Sequence, residues 1–295
     1  MRVYAYRVQQ RGPRALEEVL RRINDLPLAD RHFLGARSMR LEIAREQNGL
    51  WFADFAAPRN GHGPGTMAVN QPMSEIALAA GALFGEDTGF VYDPHSRYLV
   101  LQYNHTGPRD SGISKYLAAA DLTFGGLGPA LAGVPDINRC GFSIGAVLKP
   151  DAYARLRQWG IYKSVEMEIS VPGALNADLA AGRSLGSVLA APLPDGVETI
   201  TIGFTARPGN EGRLGGRGVE GVLNDLQQLG MAVKSAVVKG KPSEEDRMDS
   251  VNLVSDRVSG DANVTLGHGL RFVREDRWAA LAEKLQRWAD DRVLP

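Results

Sequence analysis

Two stretches of this chain read as hairpins, and a chain that carries them has to build antiparallel sheet. Residues 39–44 alternate in the strand period, Gln47-Asn48-Gly49 is a hairpin turn signal, and residues 50–55 answer as the return strand. Residues 90–92 and 98–104 flank the turn Asp93-Pro94-His95-Ser96 in the same way. A first strand is expected at 2–8. Pro13 then suits the first turn of a helix whose Leu16, Val19, Leu20 and Ile23 recur at helical spacing. Further strands are expected at 142–148, 165–171, 197–204, 231–238, 250–254 and 264–266. Helices are expected at 113–120, from Pro150 to near Trp159, at 219–229 and at 275–288, with weaker helical pieces at 172–179 and 185–190. Strands and helices do not alternate in regular βαβ units, so the expected class is α+β: mixed, mostly antiparallel sheets with flanking helices in a two-domain protomer.

The 295 residues give room for two domains. The glycine- and proline-rich run 125–135 marks a junction, which predicts an N-terminal α+β domain at 1–135 and a central α+β domain at 136–241. Residues 242–295 would then supply C-terminal strands and a helix packing back on the rest. No run reaches the ~18 apolar residues of a membrane span, and Met1-Arg2-Val3-Tyr4 lacks a signal peptide's apolar core, so a cytoplasmic protein without membrane insertion is expected. Cys140 is the single cysteine, which excludes an internal disulfide and any multi-cysteine metal site.

The 34 basic and 34 acidic side chains cancel, which excludes a uniformly basic nucleic-acid binder but not a basic face. The cancellation is uneven. Nine arginines between Arg2 and Arg40, among them Arg7, Arg11, Arg14, Arg21 and Arg22, stand against four acids. Between Phe204 and Lys241, six basic residues (Arg207, Arg213, Arg217, Lys234, Lys239 and Lys241) stand against Glu211, Glu220 and Asp225. From Pro242 to Asp261 the balance reverses. These eleven named cations are the candidate DNA-binding residues, because a local positive field attracts polyanions. Arginine outnumbers lysine 27 to 7, a bias that a GC-rich genome also produces.

Signals for chemistry are sparse, and no catalytic residue, metal ligand or cofactor is assigned. His32, His62, His95, His105 and His268 show no metal-ligand spacing, and Cys140 reads as a packed thiol. Glu166 and Glu168 share a strand face, but Ser170 stands where a metal-dependent nuclease wants a lysine; an exposed acidic face is the plainer reading. Residues 212–218 lie between a strand and a helix, where amides and a helix N-terminus could hold a phosphate or the run could be a plain surface loop. They lack the lysine and hydroxyl residue of a P-loop. Trp51, Phe52, Phe55, Tyr98 and Tyr103 read as core rather than as base-stacking platforms, and the mixed charges of 271–291 read as a solvated helix face.

The order of elements resembles a known family. A strand ends in Tyr6-Arg7 before a basic loop and helix, Ala29-Asp30-Arg31-His32 precedes two strands, and Gly85-Glu86-Asp87-Thr88-Gly89-Phe90 leads to Gly107-Pro108 and a helix ending Tyr116-Leu117. Val165-Glu166-Met167-Glu168, a strand near 198–204, a helix near Asp225 and a closing helix complete the likeness. This layout is similar to that of the phage lambda exclusion protein RexA and its relatives among bacterial anti-phage proteins, distantly akin to the recombination regulator RdgC. The resemblance implies a homodimer that binds double-stranded DNA with little sequence preference, acts in abortive infection and has no known active site.

The leading expectation is therefore a non-enzymatic, dimeric double-stranded-DNA-binding protein of anti-phage defence, working through phosphate-backbone contacts. The alternatives are a metal-dependent nuclease effector using Glu166 and Glu168, or a protein-interaction subunit with the acidic 244–261 segment as its contact surface. A membrane-protein partner encoded nearby is a further candidate. The first reading requires the two basic stretches to fold onto one surface.

Overall fold

Strand β1 (Arg2–Gln10) is buried on both faces, and that decides the architecture. In this computed structural model, described over residues 1–35, 38–59, 63–69, 71–128, 139–147, 149–170, 199–209, 212–229, 233–254, 257–267 and 271–294, Tyr6 and Val8 enter one core while Val3 and Ala5 enter another. One edge of β1 pairs with β7 (Tyr98–Gln102). The other edge is shared: β13 (Ser259–Asp261) takes Arg2 to Tyr4, and β8 (Phe142–Ala146) takes Tyr6 to Gln10. Beyond β7 come β6 (Gly85–Tyr92), β3 (Leu50–Pro58) and β2 (Arg40–Gln47), completing a seven-stranded sheet with every pairing antiparallel. Helices α1 (Leu16–Asn24) and α2 (Asp110–Thr123) cover one face through Leu16, Val19, Leu20, Ile23, Ile113, Tyr116 and Leu117. Helix α5 (Arg274–Asp290) covers the other through Trp278, Leu281, Leu285 and Trp288. A two-stranded ribbon, β4 (Gly65–Ala68) and β5 (Gln71–Glu75), stands where the sequence shows no strand periodicity.

A smaller lobe carries a four-stranded antiparallel sheet in the order β10 (Thr199–Thr205), β9 (Ile161–Ser170), β11 (Val233–Lys241), β12 (Asp249–Asn252). Helix α3 (Pro150–Arg157) precedes it. Helix α4 (Gly216–Leu229) packs Val219, Val222, Leu223 and Leu226 onto Val165, Met167, Ile169, Ile202 and Val238. The α+β class is thus realised, with mostly antiparallel sheets and flanking helices.

The division of the chain differs from the expected boundaries. Strand β8, expected in a central domain, pairs with β1; strand β12, expected in the C-terminal segment, pairs with β11. The need to satisfy a sheet edge outweighed proximity along the chain, because β8 and β13 take up backbone groups that β1 would otherwise leave unpaired. The smaller lobe is therefore an insertion. The chain leaves the larger lobe after Val147 and is back at Val258, whose N–H donates to the Val147 carbonyl at 2.8 Å. Ala5 of β1 bridges both, accepting from Val147 and donating to Val258, each at 3.0 Å. The strand expected at 264–266 is reduced to an isolated bridge between Leu266 and Phe272. The helical pieces expected at 172–179 and 185–190 lie outside the described residues, as do His62, His268 and most of the expected junction.

The face of α5 expected to be solvated is anchored by buried charge. Arg277, 1 % exposed, donates from Nη2 to Asp54 Oδ2 at 2.8 Å and from Nη1 to Asp87 Oδ2 at 2.9 Å. Asp54, also buried, accepts from Arg274 Nε at 2.7 Å and from Trp278 Nε1 at 2.9 Å. Gly89 must lack a side chain here, since a Cβ would stand 2.9 Å from both Arg277 Nε and Asp54 Oδ1. The stretch Gly85 to Phe90, singled out in the sequence, thus has an architectural role as the strand on which α5 is keyed.

Candidate nucleic-acid interface

Most of the N-terminal arginines bind within the fold. Arg14 donates to the fully buried Asp121 Oδ1 at 2.7 Å and to the Phe124 carbonyl at 3.0 Å, tying α1 to the end of α2. Arg11 is half-buried, and desolvation pulls its pKa below the usual guanidinium value against the opposing influence of Cys140. Arg22 pairs with Glu18 at 2.9 Å, and Arg21 lies over the Trp51 ring at 5.3 Å. Arg7 is exposed, 6.0 Å from the Tyr98 ring centroid. As a continuous basic wall this stretch is corrected. Its first helix carries its own acids at the right spacing, and a buried carboxylate on α2 captured Arg14.

In the smaller lobe several cations stay outward. Its antiparallel register brings the start of β9, the ends of β10 and β11 and the start of β12 to one end of the sheet, with Ser164 opposite Thr205 and Lys239, and Gly240 opposite Asp249. That end carries Lys239, Lys241, Arg207 and, where the chain turns into α4, Arg213 and Arg217. Arg207, Arg213, Arg217 and Lys239 are exposed, and none forms an ion pair among the described residues. Lys234 lies in β11 with its side chain outside the described set.

The loop between β10 and α4 folds back on β9 instead of hanging free. Ala206 N–H donates to the Lys163 carbonyl at 2.8 Å and Leu214 N–H to the Tyr162 carbonyl at 2.9 Å. Lys163 Nζ then donates to the carbonyls of Gly209, at 3.0 Å, and Gly212. Gly212 allows the fold-back, for a Cβ there would lie 1.9 Å from the Arg207 carbonyl oxygen. Of the two readings the sequence leaves open for this run, a phosphate cradle and a plain surface loop, the described residues decide neither; they show carbonyls converging on a cation of the protein itself. What the folded loop offers a polyanion is its outward Arg207 and Arg213. Lys163 was the residue that sequence reasoning missed, because nothing local ties it to a loop more than forty positions away.

Helix α4 packs on one face of the small sheet, and no other described helix is packed on the opposite face. Across it run Thr201 and Thr205 of β10, Ser164, Glu166 and Glu168 of β9, Lys239 of β11, and Ser250 and Asn252 of β12. Hydroxyl and amide groups suit phosphate and sugar contacts, and the two glutamates stand further along β9 than Lys239. Among the described residues no group of three or more His, Cys, Asp or Glu is placed to hold a metal ion. Acid also borders the basic end: the β11–β12 turn carries Glu244, Glu245 and Asp246, and Lys241 Nζ already donates to the Glu244 carbonyl. The cations share this end of the sheet with an acidic turn. No described helix is long and apolar enough to cross a membrane.

The profile of a family described as "Family of unknown function (DUF6731)" matches residues 10–285. No curated protein matches the chain.

Proposed function

The chain belongs to the DUF6731 family, and from that premise we propose that it binds double-stranded DNA without sequence preference, through phosphate contacts made by the basic end of its smaller lobe. One observation carries this reading: Arg207, Arg213, Arg217 and Lys239 are exposed at one end of a lobe and have no ion-pair partner among the described residues, whereas most of the N-terminal arginines are paired or packed within the fold. Guanidinium forks match phosphate oxygens in pairs, and contacts of this kind position a duplex without reading its bases. The RexA-like order of elements supplies the setting, anti-phage defence of the abortive-infection type with a homodimer as the acting unit. A dimer would double the small number of cations each chain offers.

Fluorescence anisotropy with random-sequence duplexes over a range of salt tests the proposal. Affinity should fall linearly on a double-logarithmic plot, with the slope dropping by about 0.9 for each phosphate contact removed. Arg213→Gln and Arg217→Gln together should weaken all duplexes alike and flatten that slope by nearly two contacts' worth, on the order of 1.8. Duplexes left unbound at low salt, or a slope untouched by the double variant, overturn the reading.

A further inference from the structure

Away from the basic end, a cavity of about 270 Å³ opens where the chain returns from the smaller lobe. Tyr4 and Tyr6 of β1, Tyr103, Arg109 and Asp110 at the entry to α2, and Arg257 of the return segment line it. Two guanidinium groups thus share one small space, and neither forms an ion pair among the described residues. Arg257 buries its Nε without a hydrogen-bond partner among the described residues. A buried donor left unmet is destabilising, so a group from outside the fold that accepts from it gains correspondingly.

The surrounding groups are arranged for an anion. Arg109 is held in place, its Nη2 donating to the His105 carbonyl at 2.7 Å and its guanidinium lying 5.6 Å from the Tyr103 ring centroid. Tyr103 in turn meets Tyr4 edge to face at 5.6 Å, and both rings line the cavity. The carboxyl in the lining, Asp110, is pushed above the usual carboxylate range by burial, against the pull of Arg257, of backbone N–H groups and of Arg109. Burial and Asp110 push the Tyr6 phenol upward too, so at neutral pH it remains a hydroxyl able to donate.

We propose that this cavity binds a phosphate monoester carried on a planar ring, a nucleoside monophosphate being the simplest case, with Arg257 and Arg109 on the oxyanion and Tyr4 and Tyr103 against the ring. Two guanidiniums offer more N–H groups than the two oxygens of a carboxylate use, and a phosphate dianion matches them in charge and in acceptors. The volume lies just under the ~300–1,000 Å³ of ordinary ligand pockets, which suits a ligand of about one nucleotide. None of these residues belongs to the basic end of the smaller lobe, so this inference and the DNA-binding reading stand or fall separately.

Calorimetry and thermal unfolding of the intact protein with adenosine 5′-monophosphate, inorganic phosphate, adenosine and benzoate decide it. The monophosphate should bind and raise the unfolding temperature, phosphate should bind more weakly, and adenosine and benzoate should do neither. Arg257→Gln and Arg109→Gln should each weaken the monophosphate at least about tenfold, the usual effect of removing one charge-assisted hydrogen bond. The Arg109 side chain is exposed, so its variant keeps the test decisive if Arg257→Gln fails to fold. Three outcomes overturn the proposal: no response to the monophosphate, any of the other three compounds binding as tightly as the monophosphate, or an unchanged affinity in Arg109→Gln.

Discussion

Arg277 shows what a single side chain does in this fold. Its guanidinium is enclosed between α5 and the sheet, where Asp54 and Asp87 supply the opposite charge and Gln102 Oε1 accepts from Nη1 at 3.1 Å. Removing Arg277 leaves the buried Asp54 with the more exposed Arg274 as its remaining cationic partner, and loss of one partner of a buried pair costs up to about 3–5 kcal/mol. Arg277→Met should destabilise by that order in urea unfolding, and adding Asp54→Asn should return part of the loss because the stranded charge is gone. Asp87 makes the same network sensitive to acid. Burial alone would raise its pKa, but Arg277 and Arg271 outweigh that and hold it below the usual carboxylate value. A carboxyl whose folded pKa is depressed contributes stability above the unfolded value, about 3.9, and loses it as the pH falls through the folded one. Stability measured from pH 7 downward should therefore drop in the acid range below about pH 4, and Asp87→Asn should remove that part of the slope.

At the level of elements, the acidic β11–β12 turn sets how much of the basic end a polyanion can feel. Glu244 and Glu245 are exposed there, beside Lys241 and across the register from the start of β9. Glu244→Gln with Glu245→Gln removes two negative charges while leaving Asp246, which accepts from Ser243 N–H and Oγ, to hold the turn. Duplex DNA should bind this variant more tightly at low salt, with the gain fading as salt screens it; an unchanged affinity would mean that DNA docks elsewhere. The elements themselves were legible in the sequence wherever periodicity was strong. Both hairpins, the helix on Leu16 to Ile23, the helix on Val219 to Leu226 and the closing helix stand where their spacing predicts. Strand β13 was hidden because Ser259, Gly260 and Asp261 have no strand pattern of their own and are recruited by the edge of β1. The cations were visible but their partners were not, since Asp121 lies 107 positions from Arg14 and the carbonyl of Gly212 lies 49 from Lys163. Local charge counts record which residues are present, while long-range pairing decides which of them remain outward.

For the whole molecule, the insertion topology carries the strongest consequence. Departure and return points meet at one hydrogen bond, Val258 to Val147, and both cores of the larger lobe are built from residues outside 149–252. Closing the gap with a short turn asks the chain to span only what it already spans, and a shorter loop costs less closure entropy. A variant with residues 149–252 replaced by such a turn should therefore unfold cooperatively, with α1, α2 and α5 still on their sheet. The variant also separates the two binding sites. It retains Tyr4, Tyr6, Tyr103, Arg109, Asp110 and Arg257, so adenosine 5′-monophosphate should still raise its unfolding temperature. It lacks Arg207, Arg213, Arg217 and Lys239, so its affinity for duplex DNA should fall to that of the few outward N-terminal arginines. Undiminished DNA binding by the shortened chain would move the interface to the larger lobe, around Arg7 and Arg21. Failure to fold would show that the small lobe's core, through Val254 and the return segment, supports the larger sheet rather than hanging from it.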